Sequence, residues 1–197
     1  MKFKFFGIQI YISFLFLAVI TVMLATDKTG FALPLLLAVT LHECGHIFMM
    51  WILDCSPKEI KLIPASVQIT SAFSRGYKND ILVSLSGPAV NLLIFGTLYY
   101  NYLCFGNKTT LIFALVNLLI GIFNLLPVKG LDGGTVLFSV LCKHTDINKA
   151  CLLLKFVTII FATALIIMAV LFTIKGKINI SLYIMGIYLL IASLIKM

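Results

Sequence analysis

Six long apolar runs constrain this chain more than any other feature, because a run of about 20 apolar residues is what crossing a bilayer's hydrocarbon core requires. They cover Phe5–Leu24, Phe31–Leu53, Ile81–Leu103, Thr110–Leu126, Cys151–Ile174 and Ile178–Ile195. Of the 197 residues, 61% are hydrophobic and only 11% charged. A soluble domain carries about 25% charged residues. That shortfall excludes a soluble globular enzyme, a disordered chain and a nucleic-acid binder. The expected fold class is an all-α integral membrane protein of about six transmembrane helices, lying in the lipid bilayer.

The first run follows Lys2 and Lys4, as a signal peptide's apolar region would. It is long, however, and no small-residue cleavage site follows, so a retained span is expected. The connectors are short except for two. Asp54–Asp80 contains a stretch in which β-branched and polar residues alternate, with Pro64-Ala65 as a bend, so a small membrane-associated strand or hairpin is expected near 59–71. Pro127–Lys149 holds a turn rich in Gly and Asp, then an apolar stretch from Thr135 to Leu141. No loop is long enough to bury a core of its own, so residues 1–197 read as a single polytopic domain.

The net charge of +8 reads as an orientation signal. Six spans place both termini and the two longer connectors on one face, with Lys2, Lys4, Lys58, Lys61, Arg75, Lys78, Lys129, Lys143, Lys149, Lys155 and Lys196. The other face has Lys28, Lys108, Lys175 and Lys177. The cation-rich face is expected to be cytoplasmic. The cysteines, Cys44, Cys55, Cys104, Cys142 and Cys151, are odd in number and irregular in spacing, and read as small hydrophobes.

Within the second run stands Leu41-His42-Glu43-Cys44-Gly45-His46, an HExxH pattern. A shuffled chain of this composition would show it roughly three times in 10,000, so its occurrence calls for a cause. Two histidines four apart share a helical face and can hold one zinc ion, while the adjacent Glu43 can deprotonate water. Ionisable groups inside an apolar span are costly and mark function.

A hydrolytic zinc site uses a third protein ligand. The glutamates are Glu43 and Glu59 alone, and Glu59 falls in the strand-like connector. His144 sits in a polar Lys143-His144-Thr145-Asp146 stretch and reads as a solvated loop residue. Asp27 falls on the opposite face, and Asp54, Asp80 and Asp146 stand at span ends among polar residues. Asp132 differs: it follows an apolar run broken by Pro127 and Gly130, in Asn124-Leu125-Leu126-Pro127-Val128-Lys129-Gly130-Leu131-Asp132-Gly133-Gly134. Broken helix at membrane depth is tolerated where it lines a cavity or is buried in protein.

HECGH in one span and NLLPVKGLDGG after a later one resemble the site-2 protease family of intramembrane zinc metalloproteases. Ser86-Gly87-Pro88-Ala89-Val90-Asn91 is similar to that family's GPxxN segment. The resemblance implies one zinc per chain on His42, His46 and Asp132, with Glu43 as general base. It implies Asn91 and Asn124 as polar residues near the active site, on the substrate or oxyanion side. The organisation is most similar to the compact sporulation branch, which processes a pro-sigma factor in spore-forming bacteria. The implied setting is therefore a bacterial cell membrane, and the implied partner a membrane-associated protein substrate. An inhibitory membrane partner is compatible with it. Neither a PDZ-sized insertion nor a CBS domain is expected in residues 1–197. The alternative from another class is a metal-ion transporter built on the His/Asp cluster. Transporters show repeated halves with matching broken helices, and no such repeat stands out here.

Overall fold

A computed structural model describes residues 2–5, 8–63, 66–71, 76–176 and 179–194. The expected bend at Pro64-Ala65 and the cations Arg75, Lys177 and Lys196 lie outside these residues. The described chain forms two compact units, residues 1–123 and 124–197.

The first unit opens with two strands, β1 (Lys2–Phe5) and β2 (Ile8–Ile12), followed by helix α1 (Phe14–Thr26). Next come α2 (Ala32–Ile52), β3 (Pro57–Ile63) and β4 (Ser66–Ser71), then α3 (Gly76–Phe105) and α4 (Lys108–Asn124). The strands form one sheet in the order β1-β2-β3-β4. The expected hairpin is β3–β4, antiparallel with Ile60 opposite Ile69. The sequence reading places residues 5–12 in the first span, but Phe5 and Ile8–Ile12 lie in strands, with β2 pairing parallel to β3 and antiparallel to β1. Ladder pairing satisfies a backbone that a short apolar run alone cannot assign to helix or strand.

In this sheet Lys2, Lys4, Gln9, Tyr11, Glu59 and Lys61 fall on one face by register, while Ile10, Ile12, Ile60 and Leu62 fall on the other. Lys61 and Glu59 pair at 3.2 Å on the polar face. The Ser13 amide donates to the Leu62 carbonyl, tying the start of α1 to the sheet.

The α2–α3 pair holds the first unit together. Small residues allow the approach: a Cβ on Gly45 would lie 2.9 Å from both the Ser86 carbonyl and Val90 Cγ2. Met50, Cys55 and Val83 form the buried apolar cluster at one end of that contact.

The second unit contains α5 (Asp132–His144), α6 (Ile147–Ile174) and α7 (Ile180–Leu194). Helix α5 falls in a stretch expected as a turn followed by apolar chain. The core of this unit is Val128, Ala162 and Leu189, with Leu126, Leu131, Phe161 and Leu165 packed around them. On α7, Gly186 presses so closely on α6 that a Cβ would lie 2.6 Å from Ile166.

Helices α2, α3 and α6 have 21, 30 and 28 residues and are long and apolar enough to cross a membrane. At 1.5 Å per residue they measure about 32, 45 and 42 Å, against a hydrocarbon core of about 30 Å. Helices α1, α4 and α7 have 13, 17 and 15 residues and are shorter than that core. Three full-length spans and three shorter apolar helices thus occupy the six expected runs.

Candidate metal centre

Helix α2 carries His42 and His46 on the face it turns to α3, and both side chains are buried. Glu43, one residue along, is half-buried. The two Nε2 atoms stand 3.1 Å apart. Each ring is oriented by what its other nitrogen meets. His46 Nδ1 lies 2.7 Å from the Val83 carbonyl oxygen, and His42 Nδ1 lies 2.5 Å from Asn91 Oδ1. A carbonyl oxygen can only accept, so Nδ1 carries the proton in both rings. Nε2 is then the basic nitrogen of each imidazole, the form in which histidine ligates a metal.

Two nitrogens sharing a tetrahedral ion at about 2.05 Å stand about 3.3 Å apart. The observed 3.1 Å fits. Gly87 lines the space beside them: a Cβ there would fall 2.5 Å from His46 Nε2 and 2.8 Å from His42 Nε2. The following Pro88 has no N–H to donate to the Ser84 carbonyl and disturbs that turn of α3. From the same turn the Val83 carbonyl accepts from both His46 and Ser86 Oγ.

Asn91 is fully buried and all its amide atoms are engaged. Its Oδ1 accepts from His42, and its Nδ2 donates to the Ala38 carbonyl at 3.1 Å and to Asn117 Oδ1 at 2.9 Å. Asn117, also fully buried, donates through Nδ2 to the Phe113 carbonyl at 2.9 Å. Asn117 escapes a sequence reading because a lone asparagine in an apolar run belongs to no spaced pattern.

Asp132 is the first residue of α5, where a carboxylate faces the positive end of the helix dipole. The chain before it doubles back tightly. A Cβ on Gly133 would strike the Leu125 carbonyl and one on Gly134 the Val128 carbonyl, so both positions require glycine. The Lys129 amide donates to Thr158 Oγ1 at 2.9 Å, pinning this segment to α6. Asn124 ends α4 and is half-buried. Two imidazoles, from His42 and His46, and a carboxylate, from Asp132, are a set of donor types that suits zinc.

The other candidates lie elsewhere. His144 is exposed at the end of α5 and Glu59 is on the sheet. Asp27 caps α2, accepting from the Thr29 hydroxyl and from the amides of Thr29, Gly30 and Ala32. Those bonds, the Thr29 hydroxyl's foremost, hold its carboxyl down at about 2.

Residues 106–171 match Peptidase family M50. The chain is 30% identical over 131 residues to Stage IV sporulation protein FB of Bacillus subtilis, covering 64% of this chain and 46% of that protein. It is 27% identical over 161 residues to Zinc metalloprotease MJ0392 of Methanocaldococcus jannaschii, covering 75% of this chain and 47% of that protein. It thus spans a little under half the length of either relative. The solved Site-2 Protease from Methanocaldococcus jannaschii superposes with a TM-score of 0.72 at 23% identity, covering 98% of this chain and 93% of that one. The two chains share one fold. Residues 106–171 thus carry a Peptidase family M50 match, and the chain is similar to members of the site-2 protease family.

Proposed function

We propose that the chain is an intramembrane zinc endopeptidase that hydrolyses a peptide bond of a membrane-associated protein within or near the bilayer. The observation that carries this reading is the pair of buried histidines, each with Nδ1 committed to a carbonyl oxygen and the two Nε2 atoms 3.1 Å apart. His42, His46 and Asp132 are the ligands of one zinc ion in this proposal. A bound zinc would supply Lewis acidity, polarising the scissile carbonyl and acidifying water.

The remaining chemistry falls to the chain. Glu43 is the general base: its carboxylate takes a proton from the attacking water and returns it to the leaving amine. Asn91, with both amide hydrogens engaged inside the protein, acts through His42 and orients it. Asn124 is the proposed polar contact on the substrate side.

A helical substrate must unwind before its peptide bond is reachable, and each unpaired backbone group then costs several kcal/mol in lipid. Strand β4 ends the sheet and offers an edge to such a segment. Pairing there would supply affinity through the main chain. The proposed setting is a bacterial cell membrane crossed six times, with both termini and the site's opening cytoplasmic.

The test is proteomics of cells carrying wild-type protein against Glu43→Gln. Membrane-associated precursors should accumulate in the variant. Identical precursor levels in both strains would refute a proteolytic role.

A further inference from the structure

One chain of hydrogen bonds runs from His42 through Asn91 to Asn117, and its direction is set from the far end. The Phe113 carbonyl can only accept, so the atom Asn117 turns to it is Nδ2. Asn117 therefore presents Oδ1 to Asn91, and Asn91 must answer with Nδ2. The Ala38 carbonyl demands the same of Asn91, since it too can only accept. Both requirements leave Asn91 Oδ1 facing His42, which forces the proton on to His42 Nδ1. A flipped Asn91 amide would set its oxygen against two acceptors and offer His42 an N–H in place of an acceptor. The latter would select the tautomer whose basic nitrogen is Nδ1.

We propose that Asn117 is a positioning residue of the metal centre: its Oδ1 holds the Asn91 amide in the one orientation that keeps His42 Nε2 as a ligand atom. The inference rests on the metal-site reading above and extends it to a residue on α4. Asn117 is one of two acceptors that fix Asn91, so its removal weakens the orientation without abolishing it. Partners that orient a metal-bound histidine are worth about 10–100-fold in metal affinity. Asn117, one bond further out, belongs at about the tenfold end, and Asn91→Leu should cost more.

The test uses the full chain in lipid nanodiscs. Zinc affinity is measured by chelator competition, and ligand geometry by the visible absorption of the cobalt-substituted protein. Asn117→Leu matches the side chain in size but lacks the acceptor. Asn117→Asp keeps an oxygen for Asn91, and burial keeps its carboxyl protonated, so its hydroxyl still donates to the Phe113 carbonyl. The expected result is about tenfold weaker zinc binding and an altered cobalt spectrum for Asn117→Leu, with Asn117→Asp restored toward wild type. Thermal unfolding of the metal-free variants reports packing separately. Wild-type affinity and spectrum in Asn117→Leu would overturn the proposal. So would equal loss in both variants, which would mark a packing role. Wild-type protein that binds no zinc would instead overturn the metal-site reading and the proposal with it.

Discussion

Replacing Gly87 by alanine should empty the metal centre while leaving the fold in place. The added Cβ would lie 2.5 Å from His46 Nε2 and 2.8 Å from His42 Nε2, against an ordinary contact distance of 3.4 Å or more. The rings must therefore retreat by about 0.9 and 0.6 Å, several times the ±0.2 Å that metal–ligand distances tolerate. Neither ring can withdraw freely, because His46 Nδ1 is held by the Val83 carbonyl and His42 Nδ1 by Asn91. Nor can α3 simply back away, since Gly45 of α2 packs on Ser86 and Gly87. We expect zinc affinity to fall at least about 100-fold, equivalent to about 2.7 kcal/mol. Overpacking should cost the metal-free protein about 1–3 kcal/mol. Gly96→Ala is the control on the same helix, because a Cβ there meets nothing within 4 Å. The assays are chelator competition for zinc, cleavage of a reconstituted membrane substrate, and thermal unfolding. Gly87→Ala protein with wild-type zinc affinity and turnover would show that Gly87 is not needed to leave space for the metal.

Asp132→Asn should lose activity and retain zinc poorly, whereas Asp54→Asn, Asp80→Asn and Asp146→Asn should change metal content, read by elemental analysis, little. Proline at Val67 or at Ile69 removes one N–H from β4 and should slow cleavage with zinc content unchanged. Unaltered turnover in both proline variants would remove the strand-pairing idea. Asp27, held down at about 2 from an ordinary 3.8, should stabilise the turn before α2 at pH values above about 4 and lose that contribution as pH falls through about 2. Asp27→Ala should accordingly lower thermal stability at neutral pH, with the difference from wild type closing toward pH 2.

What the sequence discloses depends on whether a feature is periodic. HExxH is legible because a four-residue spacing is a helical turn, and α2 places both histidines on one buried face. The alternation in Glu59–Thr70 is legible as β3 and β4 for the same reason. Lys2–Phe5 also alternates, yet Lys2 and Lys4 read there as the charged flank of the first apolar run. Its strand character comes from pairing with β2, which itself pairs with β3 some fifty residues away. Helix α5 is hidden because Gly133 and Gly134 look like turn residues. They are instead where a helix start lies against the Leu125 and Val128 carbonyls, a packing demand with no local signature. Gly87 and Asn91 are visible only through a family pattern, and their physical tasks, leaving space and orienting a ring, emerge from three dimensions. Asn117 has no pattern at all. Its meaning lies in two carbonyls, Phe113 and Ala38, that only the fold brings into line.

In the proposed reaction this chain holds zinc on its histidines and uses Glu43 to move a proton. The most direct measurement is the zinc content of purified wild-type and Glu43→Gln protein, taken together with cleavage of one substrate reconstituted in the same bilayer. About one zinc per chain is expected in both proteins, with cleavage by the wild type alone. Wild-type protein without bound zinc, a Glu43→Gln variant that loses its metal, or one that still cleaves would contradict the proposed reaction.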